Sequence, residues 1–289
     1  MHHLIIGYGY TGFHLAQYLT NQKENVTAVS RHLDTSTIIQ GVEYLQHDIQ
    51  TPFTWSQPDT IIYYLIPPHA TGKHDTILQT FLNTSKISPG KLIYFGSSAV
   101  YGDKSGDWVN ETTPCNITLD RQIRRLDAER QCMEFSKAAA IDCVLLRIGG
   151  IFGPHRLPVE AAKEQTALIE PNFVPSTNLI YVKDLARIAA LLAMNTVARG
   201  IYNVSDGLPE PMGTLQQQVA KLLELPPAPF HSLKDALARA SPMKKEFIQS
   251  SKRLSIDALK MTLDQSLVLT PKLTAIKESL EAEGRLLKI

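Results

Sequence analysis

The chain is short of everything that would mark a nucleic-acid binder, a membrane protein or a metalloprotein. Lysine and arginine total 29 against 28 acidic residues, a formal net charge of +1. Binding a phosphate backbone requires clustered excess cation, so no nucleic-acid partner is expected. Long apolar runs are missing too: the most apolar helical stretch, DLARIAALLAM (184–194), is interrupted by Arg187 and falls well short of the roughly 20 residues that span a bilayer. No membrane partner is expected. Cysteine is scarce: Cys115, Cys132 and Cys143 are odd in number and form no C-x-x-C pair, which fits a reducing compartment. Nine histidines include no H-E-x-x-H or similar ligand spacing, so a metal site has no support. The opening MHHLIIGYGY lacks the apolar core of a signal peptide and reads as a strand. The expectation is a cytoplasmic protein.

What is present is an alternation. Apolar runs at 2–6, 26–30, 42–46, 60–66, 91–96, 141–149 and 200–207 are separated in most cases by segments of helical character, including 11–21, 73–84 and 119–130. Strands separated by helices predict a parallel sheet covered on both faces, wound by right-handed crossovers into a doubly wound α/β, or Rossmann, fold. After Arg147 the pattern loosens into a proline-containing loop with a short helix (153–178), and LPPAPF (225–230) reads as a rigid loop. We therefore expect a dinucleotide-binding domain from 1–152 plus 178–206. A smaller, mostly helical substrate domain would be built from 153–177 plus 207–289.

Gly7-Tyr8-Gly9-Tyr10-Thr11-Gly12 is a G-x-G-x-x-G that follows the run Leu4-Ile5-Ile6 and opens a helical segment. That context gives the motif its meaning. Gly7 permits the tight turn, Gly9 lets a diphosphate approach the backbone, and Gly12 allows close packing of helix on strand. The helix start then offers free N–H groups to phosphate. The second run ends Val29-Ser30-Arg31, where a preference for NAD would place an acidic residue. A hydroxyl and a guanidinium suit a 2′-phosphate, so NADP is expected, with NAD as the alternative. Asp48 in His47-Asp48-Ile49 belongs either beside an adenine amino group or in a plain turn.

GYGYTG, HDI, FGSSAVYG (95–102), Arg147 through Gly153-Pro154, NLIYVKDLA (178–186), YNVSDG (202–207) and SSKRLS (250–255) together resemble the extended short-chain dehydrogenase/reductases, the NAD-dependent epimerase/dehydratase family. The stretch 100–114 looks like an atypical subgroup. The resemblance implies a cofactor site that includes Gly7, Gly9, Tyr10, Thr11, Gly12, Ser30, Arg31, Asp48, Ile49 and Leu65. It implies that Ser97, or Ser98 in another loop register, hydrogen-bonds the group being oxidised or reduced. It implies substrate contacts at His155, Arg156, Asn178 and Tyr181, and a homodimer formed through the 119–130 helix and its predecessor. The family's Tyr-x-x-x-Lys pair, however, occurs nowhere in the chain. The family's pattern aligns Arg121 with the tyrosine and Arg125 with the lysine.

Arg125 can keep the lysine's charge and ribose contact, but an arginine does not exchange protons near neutral pH. Arg121 suits a carboxylate or phosphate. Tyr101, Tyr181, His155 and an ordered water are the possible replacements for the proton donor, and the sequence does not rank them. Leu119, Ile123, Leu126 and Met133 form an apolar stripe that should face the core. Ala128 and Cys132 beside Arg121 and Arg125 suggest a second, partly covered face. Two readings are open. One is an NADP-dependent epimerase, dehydratase or reductase acting on an anionic metabolite such as a nucleotide sugar. The other is a catalytically silent NADP(H) sensor that presents its surface to a partner.

Overall fold

The computed structural model describes residues 1–286. Seven strands form one sheet: β1 (His2–Ile6), β2 (Asn25–Ser30), β3 (Val42–Gln46), β4 (Thr60–Tyr64), β5 (Lys91–Phe95), β6 (Asp142–Ile148) and β7 (Gly200–Val204). All six pairings are parallel, in the order β7-β6-β5-β4-β1-β2-β3. The inner strands are apolar on both faces; β4 and β5 are buried at every position. A parallel sheet sandwiched between helices demands this, because neither face meets water.

Helices α1 (Tyr10–Asn21) and α5 (Val182–Met194) cover one face, where Leu15, Leu19, Leu185 and Ile188 meet Ile5 and Ile93. Helices α2 (Thr76–Thr84) and α3 (Asp120–Ala139) cover the other, with Leu78, Phe81, Ala128 and Cys132 against Ile6 and Leu92. This is the doubly wound fold expected from the sequence, with every strand in place. Strand order reverses between β1 and β4, and the crevice beyond the carboxyl ends of those strands is where open sheets bind ligands.

Helix α3 corrects one expectation. Leu119 and Met133 are 43% and 53% exposed, so the apolar stripe does not face the sheet. The buried face carries Gln122, Arg124, Ala128, Glu129, Cys132 and Ser136. Small side chains let the helix lie close on β5 and β6, and the buried Glu129 is neutralised by Arg147 of β6 at 2.8 Å. The covered face expected beside Ala128 and Cys132 is the one that packs.

Beyond the sheet, α4 (Val159–Lys163), α6 (Thr214–Leu222) and α10 (Lys272–Ala282) share an apolar cluster with Phe152, Tyr181 and Val182. Helices α7 (Leu233–Arg239) and α8 (Pro242–Ile248) precede α10 in the chain, each capped by a serine hydroxyl, Ser232 and Ser241. Helix α9 (Asp257–Leu263) returns to the sheet: Ile256, Leu259 and Leu263 join the core that contains Tyr202 of β7. Part of the 207–289 segment thus packs with the first domain. Among the described residues no helix is long and apolar enough to cross a membrane.

Candidate functional site

A cleft of about 740 Å³ opens at the carboxyl edge of the sheet, lined by the glycine turn, the ends of β5 and β6, two arginines of α3, and the α8–Lys252 segment. Its floor is set by backbone proximity. Gly7 has φ +103°, and its N–H and that of Tyr8 both donate to Val29 O at 3.0 and 3.2 Å. A Cβ on Gly12 would lie 2.6 Å from Gly7 O, whereas one on Gly9 would meet no atom within 4 Å. The turn is therefore sealed from beneath and open above. The first bond of α1 runs from Phe13 N to Gly9 O, so the N–H groups of Tyr10, Thr11 and Gly12 have no acceptor within the helix. Open space over an N-terminal set of free donors fits a diphosphate.

Of the residues expected at the site, Gly7, Gly9, Tyr10, Thr11, Gly12 and Leu65 line the cleft, as do Ser97, Ser98, Arg121, Arg125, Arg156 and Asn178. Ser97 caps the short turn Ser98–Tyr101, its Oγ accepting from Ala99 N at 3.2 Å. Arg125 is half-buried, and burial lowers its pKa, with Tyr94 and Asp75 opposing and the like charges of Arg121 and Arg124 adding to the effect. Its guanidinium makes no hydrogen bond or ion pair among the described residues. Arg121 is already paired, 2.7 Å from Glu246 Oε1, and lies over the Phe247 ring at 5.4 Å. Arg156 stacks 4.0 Å above the Tyr10 ring. Asn178 spends its amide on the chain, donating to Lys252 O at 2.9 Å and accepting from Leu254 N at 2.8 Å. It positions the cleft's far wall rather than offering polar groups to a ligand.

Other expected residues lie elsewhere. Ser30, Arg31 and Asp48 sit where β2 and β3 end, outside the enclosed lining. Ser30 Oγ donates to His32 O, Arg31 is exposed, and Asp48 accepts from Gln50 N in a turn. Ile49 is a core residue packed with Leu4 and Phe53.

The three side chains expected as replacement proton donors are placed away from the cleft. Tyr101 is fully buried, donates to Asn203 Oδ1 at 2.7 Å and lies beneath the Arg147 guanidinium. Tyr181 donates to Glu278 Oε2 at 3.0 Å. His155 is exposed on a turn at φ +62°, with its backbone N–H on Glu283. In each case tertiary packing supplied an acceptor or a direction that the local sequence does not encode.

Two charged cleft residues have no counterpart among those expectations. Glu246 on α8 holds Arg121. Lys252, 6% exposed, donates through Nζ to Gly102 O at 3.0 Å and Ser250 Oγ at 2.7 Å. Lys252 falls within SSKRLS, but no spacing in the sequence ties that segment to the glycine turn.

The wall beside the glycine turn carries a pH dependence. His14 of α1 is buried, and its Nδ1 has no partner. Burial, reinforced by the Lys183 and Arg156 cations, lowers its pKa from 6.5 to about 4. The folded state thus favours the neutral ring: the stabilisation is complete above pH 6.5 and is lost as pH falls toward 4. A gap of that size corresponds to roughly 3 kcal/mol. Urea unfolding between pH 7.5 and 4 should show this loss in the native chain and a correspondingly flatter profile in His14→Phe.

A doubly wound sheet with its cleft at the switch point, floored by a glycine turn, defines a class of ligand-binding α/β protein. The chain belongs to the NAD dependent epimerase/dehydratase family, whose model matches residues 3–205. It is similar to protein YeeZ of Escherichia coli strain K12, 29% identical over 146 residues, 50% of this chain and 51% of that protein. The chain spans about half the length of the curated relatives it matches. Among solved structures it is similar to a functionally unknown conserved protein from Silicibacter pomeroyi, with 25% identity, 98% of each chain covered and a TM-score of 0.76. It shares its fold with UDP-glucuronic acid 4-epimerase from Bacillus cereus, solved in complex with NAD, at 18% identity, 100% of each chain covered and a TM-score of 0.76.

Proposed function

We propose that the protein is a nicotinamide-dinucleotide-dependent enzyme of the epimerase/dehydratase type that acts on an anionic small metabolite, a nucleotide sugar being the class that fits best. The observation that carries this reading is Arg125, a guanidinium with no hydrogen bond or ion pair to the protein among the described residues, in a cleft that also holds Ser97 and the open glycine turn. An unpaired cation in a partly desolvated site calls for an anionic or polar ligand.

The free N–H groups at the start of α1 would hold the diphosphate, and Arg125 the nicotinamide ribose. Arg31, exposed at the end of β2, favours a 2′-phosphate and hence NADP. When bound, the nicotinamide supplies a hydride acceptor and donor at a substrate carbon. Ser97 Oγ hydrogen-bonds the oxygen on that carbon, and Arg121 and Arg156 supply positive charge at the substrate end. Relatives and neighbours named for UDP-sugars support the substrate class.

The test joins calorimetry with turnover. NADP and NAD, oxidised and reduced, are titrated, with tighter binding of NADP expected. UDP-glucose, UDP-galactose and UDP-glucuronic acid are then offered with each coenzyme to the native chain and to Ser97→Ala. The serine variant should lose about 10- to 100-fold in kcat, the scale of one or two transition-state hydrogen bonds. The replacement of the family's Tyr-x-x-x-Lys pair by Arg121 and Arg125 favours a second reading, a dinucleotide sensor without turnover. Coenzyme binding with no turnover anywhere in the panel would select it.

A further inference from the structure

Removing a hydride from a hydroxyl-bearing carbon also releases the hydroxyl proton. An enzyme of the kind just proposed, the functional reading on which this inference rests, needs a group to take that proton. The position the family gives to a tyrosine holds Arg121, which is bonded to Glu246 and does not release a proton near neutral pH. Setting the arginines aside, the titratable side chains lining the cleft among the described residues are Tyr10, Glu246 and Lys252. The Tyr10 hydroxyl is buried without a partner, at a point 2.6 Å from where a Cβ on Gly153 would stand. Glu246 Oε1 is committed to Arg121 at 2.7 Å and Gln122 at 3.4 Å. Lys252 is different. Its Nζ makes no ion pair among the described residues; both its bonds go to neutral acceptors, Gly102 O and Ser250 Oγ. An ammonium has three donors, so one N–H is left over.

The placement of that amine is fixed from several sides. Asn178 clamps Lys252 O and Leu254 N. Asp103 Oδ1 accepts from Ser251 N at 2.8 Å, and Ser251 O accepts from Lys104 N at 2.9 Å. Gly102, which Nζ touches, closes the short turn that Ser97 opens. Ser97 and Lys252 thus line the same cleft and are tied to the same turn, Ser97 as its cap and Lys252 through Gly102 O.

We propose that Lys252 is the proton-transfer residue of this site, its Nζ exchanging a proton with the substrate oxygen bound by Ser97. In the oxidising direction the neutral amine accepts the hydroxyl proton and becomes ammonium. The O–H bonding pair closes the C=O bond as the C–H pair leaves with the hydride to the oxidised dinucleotide. In the reducing direction the ammonium returns the proton to the carbonyl oxygen, and the reduced dinucleotide supplies the hydride. The electrostatics support the assignment. Burial lowers the Lys252 pKa to about 8, with Lys104 acting in the same direction and Asp103 and Glu246 opposing. Oxidation should therefore rise through pH 8 to a plateau, and reduction should fall through the same pH.

Two measurements test this. In the first, the full chain is labelled with trace acetic anhydride between pH 6 and 11, with excess label of another isotope added after unfolding, and the Lys252 peptide is read by mass spectrometry. Half-maximal reactivity near pH 8 is expected; reactivity that develops only in the ordinary lysine range, near about 10.4, overturns the proposal whatever the activity. In the second, Lys252→Arg and Lys252→Ala are compared with the native chain on whichever sugar nucleotide and coenzyme of the panel turn over, with circular dichroism to confirm folding. Lys252→Arg keeps the charge but cannot titrate; it should lose about 100-fold or more in kcat with KM little changed, and the pH 8 limb should disappear. Added methylamine should restore turnover to Lys252→Ala and not to Lys252→Arg. A Lys252→Arg enzyme with native kcat and pH profile shows that charge alone suffices and overturns the proposal. A native chain silent across the panel is instead the failure of the functional reading on which it rests.

Discussion

Replacing Arg147 with methionine is expected to cost about 3–5 kcal/mol of folding stability, because it leaves Glu129 as an uncompensated charge inside the protein. Arg147 and Glu129 are 4% and 2% exposed, so water cannot replace the lost partner. The guanidinium meets both carboxylate oxygens: Nε donates to Oε1 and Oε2 at 3.1 and 3.2 Å, and a terminal nitrogen to Oε2 at 2.8 Å. It also covers the Tyr101 ring at 4.8 Å. Denaturant unfolding should show a lower midpoint at unchanged slope, the signature of lost stability without a changed unfolded state. The double variant Arg147→Met with Glu129→Met should recover much of the loss, since an apolar pair of similar volume is often as stable as a buried ion pair. An Arg147→Met chain within about 1 kcal/mol of the native one would mean that Glu129 escapes the loss by reaching solvent or by taking up a proton, the neutral form being the one that burial favours. The pair also matters for the site: it ties α3 to β6 beneath the turn that carries Ser97.

That ion pair explains why α3 was the element least legible in the sequence. Reading a helix from its apolar period assumes that the core-facing stripe is the apolar one. Here the sheet-facing side is made of Ala128, Cys132, Ser136 and a carboxylate whose counter-charge lies on a strand 18 residues further along. Leu119 and Met133, which the period selects, stand in the open. The strands were legible for the opposite reason. Buried on both faces, they need no partner to be recognised, and runs such as TIIYY and KLIYF carry their assignment in their own side chains.

The site divides along the same line. Its near wall is local: the glycine turn is six consecutive residues, and its meaning follows from the strand before it and the helix after it. Its far wall is not. Lys252 bonds Gly102 across 150 residues, and α8 sets Glu246 on Arg121 across 125. No spacing rule spans such distances. The tyrosines show the same limit: Tyr101 and Tyr181 follow the ends of strands where ligands bind, but Asn203 and Glu278, supplied by other parts of the chain, take their hydroxyls.

The near wall yields the most discriminating result. Gly9→Val should leave the protein folded and abolish coenzyme binding, whereas Gly12→Val should damage the fold itself. A side chain at Gly9 enters open space, with no atom within 4 Å, and the backbone there, at φ −106°, is one that any residue adopts. The stability cost should be that of a poorer helix cap, about 1 kcal/mol. The space it fills is the approach to the free N–H groups of α1, so a diphosphate must withdraw from them. Charge-assisted hydrogen bonds are worth about 1.5–3 kcal/mol each. Losing two weakens binding by on the order of 100-fold or more. A Cβ at Gly12 would instead press on Gly7 O at 2.6 Å, backbone against which the helix cannot easily yield, and overpacking of this kind costs about 1–3 kcal/mol. Thermal melts with and without NADP separate the two. Gly9→Val should melt near the native temperature and gain nothing from the coenzyme; Gly12→Val should melt lower in both conditions. A Gly9→Val chain that the nicotinamide coenzyme stabilises as much as the native chain would place the diphosphate somewhere other than the start of α1.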